Sequence, residues 1–342
     1  MIAALATTAP PPLTLLRAFT SWTPNPGVLV AVIAAGGGYL AGLRRRGGAW
    51  PRARTTAFLA GGLGSILLVT VTFVGVYADT LFWTRALQNI VLLMVAPMFL
   101  AMGAPVTLLR DLLPPGPRAR LGAIRRSRIA YLATFPVVVT VVLIAPLFVV
   151  YLTPLYEQSL RNGVAAALVG LGLLGCGFVY FWTRLRIDPT PRTDAYLVTV
   201  GITLLEVVSD GALGLTLWLG PLIAPDYYVE LARTWGPSLR VDQVIGAGVL
   251  WIGGDLAGLP FLGAIMLRML REDEREAARV DAELDAAEAA HATAMPAATA
   301  APPAGPGEQA DQDAPAEPAE QPRPRLWWED HPELSERFRR RP

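Results

Sequence analysis

The chain has 342 residues, of which 53% are hydrophobic and 17% charged, with a formal net charge of +1. That composition points to a multi-span membrane protein, and near-neutrality leaves no basic field to attract nucleic acid. Every basic residue is arginine, so no retinal or pyridoxal Schiff base can form, because both need a lysine amine. The only histidines, His291 and His331, lie in the polar C-terminal region. An apolar part without imidazole argues against histidine-held haem and the usual zinc sites. The single cysteine, Cys176, sits inside an apolar run and reads as a small packing residue.

In chain order, residues 1–26 form a Pro-rich, extracytoplasmic lead-in with no charged region ahead of an apolar core, unlike a cleaved signal peptide. Seven apolar segments then follow near 27–43, 56–77, 82–103, 129–152, 163–183, 195–219 and 244–267. Each is long enough to cross roughly 30 Å of hydrocarbon. The expected fold is therefore all-α, a polytopic domain of seven transmembrane helices over 27–268. Arginines crowd the first loop (Arg44, Arg45, Arg46, Arg52, Arg54), the third (Arg110, Arg118, Arg120, Arg125, Arg126, Arg128) and the fifth (Arg184, Arg186, Arg192). The positive-inside bias makes these loops cytoplasmic, with the N-terminus outside and the C-terminus inside. Trp22, Trp83, Tyr151, Tyr156, Trp218, Tyr227, Tyr228 and Trp235 are then expected at the outer interface.

The third segment is the most unusual. Arg85 and Asn89 share a helical face with Gln88 beside them, and Met94, Met98 and Met102 recur every four residues. Pro97 removes a backbone donor and should bend the helix near Leu93. Thioethers suit Cu(I), so the methionine face is a candidate metal site, although such a stripe is also ordinary core filler. On the sixth segment Thr199, Thr203, Glu206 and Asp210 form one polar stripe. Asp255 follows Gly253 and Gly254 on the seventh, where glycines permit close approach of another helix. Intramembrane ionisable residues seldom face lipid, so Arg85, Gln88, Asn89, Glu206, Asp210 and Asp255 are expected to form one polar cluster, with Arg85 nearest Asp210. Such a cluster can fix helix register, move an ion or proton, or contact a substrate. Paired aspartates on successive helices also occur in intramembrane aspartyl proteases, but Ile252 stands where their Gly-x-Gly-Asp pattern wants glycine.

Beyond the apolar region, 269–295 reads as a charged cytoplasmic helix and 296–324 as a disordered Ala/Pro/Glu-rich linker. Residues 325–342 form a Trp/Arg-rich motif with Trp327, Trp328, Leu334 and Phe338, either a docking or membrane-surface element or an idle tail.

With these segments in hand, the chain resembles the seven-helix CtaG-type cytochrome c oxidase assembly factors of Gram-positive bacteria. The resemblance is carried by Gln88 with LLMVAPMFLAMGAPVTLL, by PLYEQSLRN (154–162), by Phe181-Trp182 with Asp188-Pro189, and by Asp242-Gln243 leading into GAGVLWIGGDL. Trp327-Trp328-Glu329 resembles family members from high-GC bacteria. The similarity covers roughly 20–270. The family characteristically places histidines, its plausible copper ligands, on the third and fifth segments. Here Thr84-Arg85 and Asn89 occupy the third-segment positions, and the fifth offers only Ala, Val, Leu and Gly. The resemblance thus implies a divergent member without histidine-based copper binding. It implies a multi-pass protein of the bacterial plasma membrane, non-enzymatic, acting in biogenesis of an aa-type oxidase. Oxidase subunits or other assembly factors are the implied partners, alongside membrane lipid. Asp242 and Gln243 are expected at the outer entrance, and Cu(I) on the methionine face is the one candidate cofactor. The competing expectation is a small ion- or proton-coupled transporter using Glu206, Asp210 and Asp255.

Overall fold

A computed structural model describes residues 10–125, 127, 135–185 and 196–294. All its regular elements are helices: α1 (Leu15–Thr20), α2 (Pro26–Arg46), α3 (Arg52–Val71), α4 (Phe73–Tyr77), α5 (Phe82–Met102), α6 (Pro105–Leu112), α7 (Pro115–Arg125), α8 (Pro136–Leu152), α9 (Leu155–Arg161), α10 (Gly163–Leu185), α11 (Tyr196–Leu219), α12 (Pro225–Glu230) and α13 (Leu239–Ala294). The chain divides into a unit ending at Ala277 and a second beginning at Ala278. The expected linker 296–324 and motif 325–342 lie outside the described residues, as do the side chains of Thr199 and Thr203.

Local sequence explains most helix boundaries. Asn25 accepts a hydrogen bond from the Val28 amide ahead of Pro26, a capped start with proline where no donor is needed. Gly47 ends α2 at φ 64°, which an L side chain adopts only with strain. Thr72 turns extended between α3 and α4, and its hydroxyl accepts from Val74. Ala104 and Ala224 are left-handed, at φ 51° and 49°, and each precedes a proline that opens a helix. Proline's ring disfavours the right-handed helical conformation in the residue before it, so each alanine breaks the chain direction there.

The seven-span expectation is not met. Among the described residues four helices are long and apolar enough to cross a membrane: α2, α3, α5 and α10. A fifth counts only if the pair Val137–Leu152 and Leu155–Arg161, bent by 71°, is one broken span. The physical reasons lie in the other three segments. The one near 129–152 is helical, within the described residues, only from Pro136, and Thr153-Pro154 breaks it before α9. At 17 residues α8 rises about 25 Å, short of the hydrocarbon thickness. The segments near 195–219 and 244–267 do not qualify among the described residues, and each carries carboxylates, Glu206 and Asp210 in the first and Asp255 in the second. What stands is an all-α, polytopic membrane protein with several apolar helices.

The core is organised around α5. Of its membrane-length window 67% is buried, against 17% for α2 and 22% for α10. Glycines let the neighbours approach its second half. Side chains added at Gly61 and Gly62 of α3 would fall 2.5 Å from Phe99 and Leu100, and one at Gly103 would fall 2.6 Å from Phe58. Gly177 of α10 lies directly against the Leu93 carbonyl and the Pro97 ring. Proline 97 cannot donate to that carbonyl, which faces the close glycine backbone. Where a bend near Leu93 was expected, α5 instead widens to a π-type turn over Val91–Val95.

Candidate functional site

The polar residues of α5 lie in its first two turns and meet partners from four directions. Arg85 is 7% exposed. Its guanidinium pairs with Asp79 at 3.2 Å and donates to the Ser159 carbonyl at 2.9 Å and to Gln88 at 3.1 Å. Gln88 in turn donates to the Val69 carbonyl on α3, and Asn89 to the Tyr151 hydroxyl on α8 at 3.0 Å. The expected Arg85–Asp210 pairing is thus replaced by Asp79, three residues before α5 begins. A short loop brings that carboxylate within reach at little cost in chain entropy, which the helical spacing alone did not show.

Aromatic residues enclose this centre. Phe82, Tyr151 and Tyr156 pack with ring centroids 5.1–5.6 Å apart, and the Tyr156 and Tyr228 hydroxyls share a 2.8 Å hydrogen bond. Tyr227 donates to the Asp79 carbonyl. Tyr151 and Tyr156 are 1% exposed, so both rings are packed inside the protein. A tyrosine buries its ring in a core when its hydroxyl finds a partner there. Arg161 ties the enclosure from outside, bonding Glu157 and Glu230 and lying over the Tyr227 ring.

Asp242 and Gln243 of α13 are each 1% exposed. Asp242 accepts from the Phe82 and Trp83 amides at 3.1 Å and from Arg233 at 3.2 Å, so it caps α5 from a distant part of the chain. A carboxylate there satisfies two orphan donors and complements the positive end of the helix dipole. Burial pushes the Asp242 carboxyl above its ordinary range, opposed by those two amides and Arg233. Gln243 accepts from the Ile223 amide and donates to the Leu217 and Pro221 carbonyls. Between them lies a cavity of about 10 Å³ bordered by Phe82, Tyr228, Asp242 and Gln243. It has room for a single water and for no substrate.

The remaining carboxylates form a separate group. Glu206 accepts from the Tyr180 hydroxyl at 2.9 Å, and the Arg184 guanidinium lies over the Tyr180 ring. Asp210 rests against Gly254, where an added side chain would come within 2.8 Å of its carboxylate. The neighbouring Gly214 takes the Trp251 side chain in the same way, so α11 and α13 meet closely at glycines. Among the described residues, no hydrogen bond or ion pair reaches Asp210 or Asp255.

The methionine face is packed. Met94 and Met98 are 9% and 5% exposed, and both belong to the main apolar core, with Met102 partly buried against it. Among the described residues no three His, Cys, Asp or Glu side chains could hold a metal together. The described residues therefore offer no histidine-based copper site. The partners that sequence reasoning missed are Asp79, Ser159, Arg233 and Gly177. Only Ser159 carried a signal, lying inside the PLYEQSLRN stretch.

Residues 37–272 match the family described as cytochrome c oxidase caa3 assembly factor (Caa3_CtaG). Similar curated relatives are an uncharacterized protein, ML1998, of Mycobacterium leprae, 29% identical over 289 residues, and an uncharacterized protein, Mb0105, of Mycobacterium bovis, 28% identical over 287. In both alignments 81% of this chain is covered but 43% of the relative, so the chain spans less than half the length of these proteins. No solved structure matches.

Proposed function

Because the chain belongs to the cytochrome c oxidase caa3 assembly factor family, we propose that it is a membrane-embedded, non-enzymatic assembly factor for an aa-type oxidase that acts by holding a partner and not by carrying copper. The observation that supports this reading is the state of α5. The helix that bears the family-like stretch is the most buried of the four membrane-length helices, and its polar residues are paired within the protein. The clients are oxidase subunits or other assembly factors.

Deleting the gene tests the role. The strain should lose assembled aa-type oxidase, read from haem absorbance and oxygen uptake, and the Arg85→Gln protein should restore less than the wild type. Unchanged oxidase refutes the reading. Purified protein loaded with Cu(I) under reducing conditions should retain none. About one equivalent, abolished by Met98→Leu, would return copper handling to the methionine face.

A second reading has its own observation, Asp210 against Gly254 with no hydrogen bond or ion pair reaching Asp210 or Asp255 among the described residues. An ion- or proton-coupled transporter using these with Glu206 would show gradient-dependent uptake in vesicles that Asp210→Asn or Asp255→Asn removes.

A further inference from the structure

The turn between α2 and α3 combines charge, an aromatic platform and a connection to the far end of α5. Arg44, Arg45, Arg46, Arg52 and Arg54 lie in or beside this turn, and Arg46 and Arg110 share the carboxylate of Asp111 at 2.9 and 3.3 Å. Residues 1–156 contain only one other acidic residue, Asp79, and it pairs with Arg85 at the opposite end of α5. Among the described residues Arg44, Arg45, Arg52 and Arg54 therefore have no carboxylate partner. The buried Nε of Arg110 also lacks an acceptor.

Trp50 sits in the middle. The Arg46 and Arg54 guanidiniums lie 4.9 and 5.2 Å from its ring centre. Its indole donates to the Tyr39 hydroxyl, which donates to the Gly103 carbonyl at the end of α5, and Tyr39 stacks on Phe58 at 4.1 Å. A rigid indole flanked by arginines suits the boundary between hydrocarbon and water. Both flanking helices are long and apolar enough to cross a membrane, so the turn lies where two spans end.

We propose that this turn binds the phosphate of anionic phospholipids in the adjoining leaflet, with Arg44, Arg45, Arg52 and Arg54 as headgroup contacts and Trp50 as the interfacial anchor. Guanidiniums offer forked donors that match phosphate oxygens, and juxtamembrane arginine clusters are attracted to anionic leaflets. Through Trp50, Tyr39 and Gly103 the occupied site braces the end of α5. The inference goes beyond the assembly role and does not depend on it.

The test is native mass spectrometry of the full-length protein in detergent, titrated with phosphatidylglycerol or with phosphatidylcholine of the same chains. Phosphatidylglycerol should bind at least about tenfold more tightly. The quadruple variant R44Q/R45Q/R52Q/R54Q should lose that preference, the corresponding quadruple lysine variant should keep most of it, and Arg161→Gln should be unchanged. Equal binding of the two lipids by the wild type overturns the proposal, as does a preference that survives in the glutamine variant. Displacement of the lipid by inorganic phosphate alone overturns the lipid source, marking a free-anion site. If the glutamine variant does not fold, the salt dependence of wild-type binding decides, because a headgroup site weakens as salt rises and an acyl-chain site does not.

Discussion

The two halves of α5 are held by different forces. From Phe82 to Ile90 the helix is secured by directed polar contacts: Asp242 at its first amides, Asp79 and Ser159 on Arg85, Tyr151 on Asn89. From Val91 to Met102 it is secured by shape, with glycines of α3 and α10 letting backbones approach. Polar contacts in a buried setting are costly to leave half-made, whereas apolar contacts fail gradually with volume. The first half should therefore respond steeply to loss of a single atom group and the second to its addition.

The largest effect is expected at Asp242. Asp242→Ala strands two amides and the buried Arg233, and should cost about 3–5 kcal/mol, the range for breaking a buried charge pair. Asp242→Asn should recover part of this. Unfolding in detergent with a graded denaturant measures both, and an alanine variant within 1 kcal/mol of the wild type, on the order of a surface change, would erase the contrast. Next is Gly177→Ala, which drives a methyl into the Leu93 carbonyl and should cost about 1–3 kcal/mol or more by overpacking. The same change at Gly172, which has open space around it, should stay within about 0.5 kcal/mol. Equal effects at the two glycines would show that close approach is not what holds the second half.

A smaller, pH-dependent effect is expected at the end of α6. The Arg46 guanidinium hydrogen-bonded to Asp111 holds its carboxyl below the usual range. The contribution to stability is then fully present above about pH 4, the unperturbed value, and is lost as pH falls through the depressed one. The thermal midpoint difference between wild type and Asp111→Asn should accordingly shrink on acidification. A difference that grows instead would contradict the pairing. The smallest effect is a gain. Ala104→Gly relieves a left-handed alanine where α5 gives way to α6 and should raise stability by up to about 1 kcal/mol. A loss would mean that the methyl's packing outweighs the strain, since Ala104 is fully buried.

Much of this molecule was legible in its residues, and the limits of that legibility are specific. Pro26 after Asn25, Gly47, Thr72 and the two Ala-Pro steps mark helix ends through backbone sterics that need no tertiary context. The position of Arg85, Gln88 and Asn89 on one buried face followed from helical spacing, and the glycine pair before Asp255 correctly indicated a close helix approach, with Asp210 against Gly254. Hydropathy sums over a window and does not register where a helix begins or breaks, so it could not show that α8 has 17 residues and meets α9 at a 71° bend. The partners failed for a related reason. Helical periodicity says which way a side chain points on its own helix, but not which neighbour stands opposite.

By itself the sequence determined that this is a helical membrane protein without lysine or a membrane-embedded histidine, and which stretch of it is unusual. Those properties are set residue by residue, through composition, periodicity and local backbone sterics. Only the tertiary structure decided that Asp79 takes Arg85, that Asp242 caps α5, and that the methionines fill a core. Each of these depends on chain segments up to 160 positions apart meeting at a distance of a few ångströms.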